Sequence, residues 1–596
     1  MIPNFLHPKN YLSLLSFLLM LAIPVLFPSP FITNLFTSLF VFAALAMAWN
    51  IVGGFAGQLS LGHAVYYGIG GYTASLLTIN FGISPWIGMG IGAIISGVIA
   101  IIISYPTLRL KGPFFSLASI AILEVVRLLV IHEEEFTGGS SGVSIPLNIG
   151  WEWIVFRDKL NYVFIAFALF LVVLWISWLI RTSRLGFYLI AVREREDAAK
   201  AVGINTARVQ VYAATVSAFL TSIIGSFHIT YLTFIDPESA FSLQLSIQIA
   251  MFTLIGGIGT LTGPIVGTFI VLPIAELARG WLSASGNGVH GLIYGLILVI
   301  VVLTVPRGIV GVLKDRVLSF VEKLPNFGRL IHHHTQQIQQ TNQHFEPQLP
   351  TDEVILKAEK LHKRFGGLQA TNNVSFSVYR NEILGIIGPN GAGKTTVFNQ
   401  LSGFIIPDEG TITFKNREGE WVNCKSPYEF ARAGLGRTFQ ITQPFTGLSV
   451  LENIMIGAFL NTSSPEEARH VALEIAETTE LSDLIYTEAK NLTIGGMKRL
   501  EIARALATQP HILLLDEVLA GLNPTDIEKA IKMIKNIRNS GVTIVLIEHM
   551  MQATMALSDR IIVINEGKIL TSGKPKEVIE NPEVIEAYLG KEFTHA

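Results

Sequence analysis

Gly388, Pro389, Asn390, Gly391, Ala392, Gly393, Lys394, Thr395 and Thr396 follow one another in the pattern G-x-x-x-x-G-K-[ST]. Glycines at this spacing let backbone N–H groups wrap phosphates at a helix N-terminus. Lys394 then supplies positive charge to the outer phosphates of ATP, and Thr395 is a candidate ligand for Mg2+. Further along, Asp516 and Glu517 close the apolar run Ile512-Leu-Leu-Leu. Asp516 is expected to hold magnesium directly or through water, and Glu517 to polarise the water that attacks the γ-phosphate. A strand ending in two carboxylates is weak alone and becomes specific with the phosphate loop upstream.

Such groups need a strand, a tight loop and a helix to position them. Ile383-Leu-Gly-Ile-Ile387 reads as a buried strand before the loop, and Val397-Phe-Asn-Gln-Leu401 as the helix after it. The chain around this unit is unusual. Of 596 residues, 50% are hydrophobic and 15% charged, against about 25% charged in ordinary soluble chains. Residues 1–307 hold only 26 of the 88 charged residues. The chain is therefore two bodies, an apolar first half and an ordinary globular second half. A net charge of −2 argues against a general nucleic-acid binder. The lone Cys424 excludes an internal disulfide framework and Cys-based zinc ribbons.

About ten apolar stretches long enough to cross a bilayer fill the first half: 11–28, 31–52, 59–79, 85–104, 113–131, 161–180, 209–233, 244–258, 264–280 and 289–305. The first, preceded by Lys9, lacks a small-x-small cleavage site after Pro28-Ser-Pro30 and reads as an anchor. Arg109 and Lys111, then Arg181, Arg184, Arg193, Arg195, Lys200 and Arg208, then Arg307, Lys314 and Arg316 mark cytoplasmic loops. Counting crossings puts both termini inside and the Glu133, Glu134, Glu135 loop outside. Gly88, Gly92, Ser96 and Ala100 put small side chains on one helix face, where a neighbouring backbone can approach. Residues 256–264, Gly-rich but lacking a following lysine, read as a helix break lining a cavity rather than a phosphate loop. Polar residues within spans are costly. Gln58 and His63 are candidates for substrate contact or helix-helix bonding, and Glu124 with Arg127, three residues apart, for a structural ion pair or a functional one. Residues 320–352, with His332, His333 and His334 and then Gln336, Gln337, Gln339, Gln340 and Gln343, read as a flexible tether. The expected domains are thus 1–319, 320–352 and 353–596.

The second half resembles the ATP-binding-cassette family. Gln440 in Gly436-Arg-Thr-Phe-Gln resembles the Q-loop, residues 492–496 the signature loop, Ala520-Gly-Leu-Asn523 the D-loop and His549 the switch histidine. Phe365 sits where the family places an adenine-stacking aromatic. The resemblance implies catalytic roles for Glu517, His549 and Gln440, and magnesium contact for Gln440 beside Thr395 and Asp516. The common signature is Leu-Ser-Gly-Gly-Gln; here Thr493 replaces Ser, Ile494 the first Gly and Gly496 the Gln. Thr493 keeps a hydroxyl and Gly495 the close backbone approach. In the family this loop completes a partner's ATP site, so a second ATPase is implied. Asp197, Ala198, Ala199 and Gly203 resemble the importer coupling motif E-A-A-x-x-x-G, which docks on the ATPase near the Q-loop.

Residues 57–64 with Gly70-Gly-Tyr72, and residues 256–264, look like permeases of the branched-chain amino-acid importers; Arg437-Thr-Phe-Gln440 and the terminal residues 581–590 look like the matching ATPases. The expected fold is a polytopic all-α permease followed by an α/β P-loop ATPase with a helical subdomain. The resemblance implies ATP-driven import in a bacterial inner membrane with a second permease, a second ATPase and an external solute-binding protein. A homodimer is a variant. Urea or short amides are the alternative cargo, and an exporter half-unit the alternative transporter class.

Overall fold

The computed structural model describes residues 20–107, 110, 112–282, 295, 308–312 and 349–589. The span at 289–305 apart from Gly295 and most of the 320–352 tether lie outside them, as do residues 1–19, Arg109, Lys111, Arg307, Lys314, Arg316 and Gly590. The described residues form two compact units, the first running to Arg193 and resuming at Ala207, the second joining Glu194–Thr206 to the C-terminal half.

The first unit is helical. It contains α1 (Pro30–Asn50), α2 (Ala64–Phe81), α3 (Pro85–Thr107), α4 (Pro113–His132), α5 (Leu160–Thr182), α6 (Thr206–Leu232), α7 (Pro237–Ala240), α8 (Leu243–Gly256) and α9 (Gly263–Leu282). A two-stranded pair, β1 (Val143–Ser144) with β2 (Phe234–Ile235), adds a short antiparallel ribbon. Among the described residues, six helical stretches are long and apolar enough to cross a membrane. Four start within one residue of the expected 31–52, 85–104, 113–131 and 161–180, and a fifth starts three residues before the expected 209–233. The fifth and sixth run Thr206–Leu232 and Pro237–Gly256, the latter taking in α7.

The stretch at 59–79 is helical only from Ala64. Here α1 passes into a π-helical turn, Ile51–Phe55, and Gly57 at φ +73° turns the backbone into the left-handed region. Gly62 then lies so close to α4 that a Cβ would sit 2.2 Å from the Ser119 carbonyl oxygen. Hydropathy does not register such a break. The small-residue face of α3 packs as expected: Gly88, Gly92, Ser96 and Ala100 are buried, and a Cβ on Gly88 would meet the Ala74 backbone at 2.7 Å. Residues 257–262 break the chain between α8 and α9, and Asn50 fastens the break by accepting from Gly259 N at 2.9 Å and donating to the Thr260 carbonyl at 2.8 Å.

The second unit is α/β. Strands β3 (Val354–Phe365), β4 (Leu368–Tyr379), β6 (Glu409–Lys415) and β7 (Trp421–Val422) form an antiparallel sheet in the order β4-β3-β6-β7. A second sheet has the order β12-β11-β5-β10-β9-β8, from β5 (Ile383–Ile387), β8 (Leu435–Arg437), β9 (Ile512–Asp516), β10 (Thr543–Ile547), β11 (Arg560–Asn565) and β12 (Lys568–Gly573). Its pairings are parallel except for β12 at the edge. Strands β5, β9 and β10 are buried at every residue, as near-continuous apolar runs covered on both faces must be. Four loops leave the carboxyl ends of adjacent parallel strands, the position where open α/β sheets bind ligands. They carry residues 388–393, 438–440, Glu517 and His549.

Candidate functional site

The phosphate loop turns on glycines in the left-handed region, Gly391 at φ 80° and Gly393 at φ 100°. A Cβ on Gly393 would sit 2.2 Å from the Ala370 carbonyl oxygen. Pro389, Asn390 and Ala392 complete the loop, and helix α10 (Lys394–Leu401) starts directly from it. Lys394 lies over the loop, its Nζ donating to the carbonyls of Gly388 at 2.7 Å and Pro389 at 2.9 Å. Burial lowers its pKa, opposed by the charges of Glu517 and Asp516. An anion in the loop offers the ammonium a stronger acceptor than two neutral carbonyls. Thr395 is exposed in the first turn and Thr396 half-buried. Phe365 ends β3 half-exposed, with Lys363 Nζ 5.7 Å from its ring centre.

Three expected residues converge on one oxygen. Glu517 Oε1 accepts from Gln440 Nε2 at 3.0 Å and lies 2.7 Å from His549 Nε2. Glu517 sits at φ +49°, a strained position for a side-chain-bearing residue, and its backbone is tied down on both sides. Its N–H donates to the Ile547 carbonyl at 2.9 Å, and Lys498 Nζ donates to its carbonyl at 2.5 Å. Asp516 is 1% exposed. Burial pushes its carboxyl up to about 6 although Arg437 opposes the shift. Among the described residues Oδ1 of Asp516 is buried without a hydrogen-bond partner, and such an oxygen suits a cation.

Arg437 and Thr438 organise this end of the sheet, and neither was singled out from sequence for a role. Thr438 Oγ1 accepts from Asp516 N at 2.9 Å. The Arg437 guanidinium is 3.7 Å from Asp516 Oδ2 and donates to Asn399 Oδ1 at 3.0 Å on α10 and to Ser402 Oγ at 2.6 Å at its C-terminal cap. The rings of Phe404 and Phe439 lie 4.8 and 4.7 Å from it. Burial lowers its pKa to about 10, leaving it charged. The available signal was a cation inside a short buried strand, which rarely lacks a partner.

Thr493 caps helix α14 (Ile494–Leu506), its Oγ1 accepting from Gly496 N at 3.2 Å. Ile494 is exposed and Gly495 lies beside Asp526. Among the described residues none of Thr493, Gly495 and Gly496 is hydrogen-bonded to the phosphate loop. Helix α14 instead grips the Gln440 loop: Glu501 Oε1 accepts from Phe439 N at 3.1 Å and Arg504 donates to the Gln443 carbonyl at 2.7 Å.

Within the same unit, Glu196–Ala201 is a short helix. Ala198 and Ala199 are buried, whereas Asp197 is exposed and lies 3.7 Å from Lys200 Nζ. Gly203 takes φ +85°. Its carbonyl accepts from Arg432 Nε at 3.1 Å, at the end of helix α11 (Pro427–Arg432). Glu194 Oε2 accepts from Thr446 Oγ1 at 2.9 Å.

In the first unit, His63 is buried with Nε2 2.8 Å from Ser217 Oγ, a helix-to-helix bond. Gln58 is half-buried in the irregular stretch before α2. Glu124 and Arg127 are paired, as their spacing suggested.

Residues 31–302 match the permease component of the branched-chain amino-acid transport system. Residues 371–520 match the ABC transporter family, and residues 568–594 the branched-chain amino-acid ATP-binding-cassette transporters. The high-affinity branched-chain amino acid transport ATP-binding protein LivG of Salmonella typhimurium is 44% identical over 40% of this chain and 98% of its own length. BraF of Pseudomonas aeruginosa, described in the same words, is 40% identical over 40% of this chain and 98% of its own length. A solved nucleotide-free ATP-binding cassette from an ABC transporter aligns at 33% identity over 40% of this chain and all of its own, with a TM-score of 0.37. The chain thus belongs to the branched-chain amino-acid family of ATP-binding-cassette transporters and carries a permease component and an ATP-binding component in one polypeptide.

Proposed function

We propose that this chain is the fused permease and ATPase of an importer that uses ATP to move branched-chain amino acids across the bacterial inner membrane. The observation that carries the catalytic part is the shared oxygen of Glu517. A carboxylate held by Gln440 and His549 at the end of β9 is oriented to draw a proton from water attacking the γ-phosphate. The bond between the γ-phosphorus and the bridging oxygen to ADP then breaks, giving ADP and phosphate. Lys394 and the amides of residues 388–396 take the phosphate charge, and Phe365 the adenine face. Asp516, Thr395 and Gln440 would hold Mg2+, which when bound neutralises charge on the β- and γ-phosphates. The orphan Oδ1 of Asp516 supports that assignment.

ATP hydrolysis is coupled to transport, and the chain works in a membrane with partner subunits. In the proposed assembly these are a second permease, a second ATPase that receives Thr493, Gly495 and Gly496 at its own ATP, and an external solute-binding protein. Residues Asp197, Ala198, Ala199 and Gly203 form the coupling segment, a reading supported by the hydrogen bond from Arg432 to Gly203. Both termini and the ATPase lie on the cytoplasmic side. The permease match and the relatives' names favour branched-chain amino acids over urea and amides as cargo. Glu517→Gln tests the catalytic assignment: the variant binds ATP normally and loses about 10²–10⁴-fold in turnover, the usual weight of a positioned base. Near-normal hydrolysis rejects it.

A further inference from the structure

Lys498 sits in the second turn of helix α14 and is 8% exposed. Among the described residues its ammonium has one hydrogen-bond acceptor, the Glu517 carbonyl at 2.5 Å. The carboxylates of Glu548, Glu501, Glu517 and Asp516 lie near enough for their charges to act on it, yet among the described residues none of them forms an ion pair with it. A buried ammonium normally takes a carboxylate; this one holds a piece of backbone.

That backbone needs holding. Glu517 at φ +49° occupies a region that a residue with a side chain keeps only where its surroundings impose it. Two hydrogen bonds impose it. One runs from the Glu517 N–H to the Ile547 carbonyl at 2.9 Å, within the sheet. The other comes from Lys498, on a separate element.

Helix α14 is also the helix that opens with the signature residues. Gly496 N donates to Thr493 Oγ1 at 3.2 Å and Met497 N to the Thr493 carbonyl at 2.8 Å, so residues 493–498 form one hydrogen-bonded turn. Lys498 lies two residues beyond Gly496, about 3 Å along the axis. The same turn meets the far end of the segment that begins at Glu517: a Cβ on Gly495 would sit 3.2 Å from Asp526 Oδ2 and 3.5 Å from Leu522 Cδ2. Between the two contacts lies a cavity lined by Gly495, Lys498, Ile502, Val518, Leu522 and Asp526. Packing is incomplete there, where an interior is ordinarily filled, which leaves the Lys498 bond as the polar tie between the signature turn and Glu517.

We propose that Lys498 is a positioning residue that makes hydrolysis at this chain's own ATP depend on the ATP held by the partner. In the paired assembly proposed above, the partner's ATP rests on Thr493, Gly495 and Gly496. Contact there fixes the first turns of α14 and with them Lys498 Nζ, which holds the Glu517 backbone so that its carboxylate stays in line with Gln440, His549 and the attacking water. A catalytic group displaced by about 1 Å loses about 10²-fold in rate. The proposal rests on the paired-ATPase reading and names the residue that links the two sites.

The test is single-turnover ATP hydrolysis by the complete importer, assembled with a partner ATPase whose own catalytic carboxylate is replaced by glutamine, so that phosphate formation reports the site of this chain. Lys498→Met keeps the length of the stem and removes the donor. Its rate at saturating ATP falls at least about 10-fold while the half-saturating ATP concentration stays within about twofold, as expected where positioning and not ATP binding is lost. Lys498→Arg restores a donor and recovers most of the rate. A Met variant as fast as the wild type, or an Arg variant as slow as the Met variant, overturns the proposal. The link between sites is read with a partner that is also deprived of its phosphate-loop lysine and binds no ATP. The partner's ATP speeds the wild type at least about 10-fold and the Met variant less than about threefold, the non-additivity expected of two perturbations on one path; an equal factor in both overturns the proposal. Should Lys498→Met fail to assemble, Lys498→Ala takes its place in both measurements with the same deciding outcomes. A wild type whose hydrolysis is indifferent to the partner's ATP overturns the paired-ATPase reading itself, an outcome distinct from a wild type and a variant that depend on it equally.

Discussion

Glu501 anchors the start of the Gln440 loop through Phe439 N, and it is 3% exposed with Arg504 3.7 Å away. Burial pushes its carboxyl up from the ordinary 4.5 to about 7, although Arg504 and the backbone donors of Phe439 and Gln443 pull the other way. Below pH 4.5 the group is protonated both folded and unfolded, and its contribution to stability is fully present. As pH rises towards 7 the unfolded chain ionises while the folded one holds its proton, so stability falls; above 7 the loss is complete. At about 1.4 kcal/mol per pH unit, the interval amounts to roughly 3 kcal/mol. An amide keeps an oxygen for Phe439 N and cannot ionise. Glu501→Gln therefore matches the wild type near pH 4.5 and exceeds it by about 3 kcal/mol at pH 8.5, which is about 6–12 °C in the cassette transition for a unit of this size. Thermal unfolding of the full chain in detergent at both pH values reads the difference directly. A gap that does not grow between the two, or a less stable Gln variant at pH 8.5, refutes the argument.

Two further substitutions probe the same end of the unit. Gly203→Val forces a branched side chain into φ +85° with its Cβ 2.5 Å from Leu460 Cδ1; ATP binding persists and uptake per ATP hydrolysed falls, whereas an unchanged ratio removes residues 194–206 from the coupling path. Arg437→Met leaves Asp516 buried without its counter-charge, a change that costs about 3–5 kcal/mol when one partner of a buried pair is lost. The same unfolding measurement checks it, and a loss under 1 kcal/mol would show that Asp516 does not depend on Arg437.

The parts of the site legible in the sequence are those whose chemistry is written in consecutive residues. The phosphate loop and the Asp516-Glu517 pair are local patterns between a strand and a turn, and the structure places them at the carboxyl ends of β5 and β9, with β10 between. Gln440 and His549 came from family resemblance, and only folding shows that they share one oxygen of Glu517. Arg437 and Lys498 stayed hidden because their partners lie 35 and 19 residues away, and nothing local distinguishes a cation with a buried acceptor from a solvated one. In the permease half, hydropathy located helices but not the break before Ala64. That break depends on a π-helical turn and the approach of Gly62 to Ser119, which are properties of packing rather than of apolar content.

The arrangement around β8 shows how one short strand links the proposed coupling segment to the proposed general base. Arg432, which donates to the Gly203 carbonyl, lies five residues before Arg437, which contacts Asp516, and Gln440 follows three residues later. Between them β8 is paired in parallel with β9 through Leu435–Ile512 and Arg437–Leu514, and Arg437 is pinned to α10. In the proposed coupling, a displacement of Gly203 therefore meets a stiff segment before it reaches the loop holding Gln440. That loop is also held from α14 by Glu501 and Arg504, so helix α14 and residues 427–437 both act on the position of Gln440. The 3.0 Å bond from Gln440 to Glu517 is the point where these two inputs meet the proposed general base. In the proposed reading, coupling works by making or breaking one oriented hydrogen bond to Glu517, and needs no large deformation of the sheet that carries it.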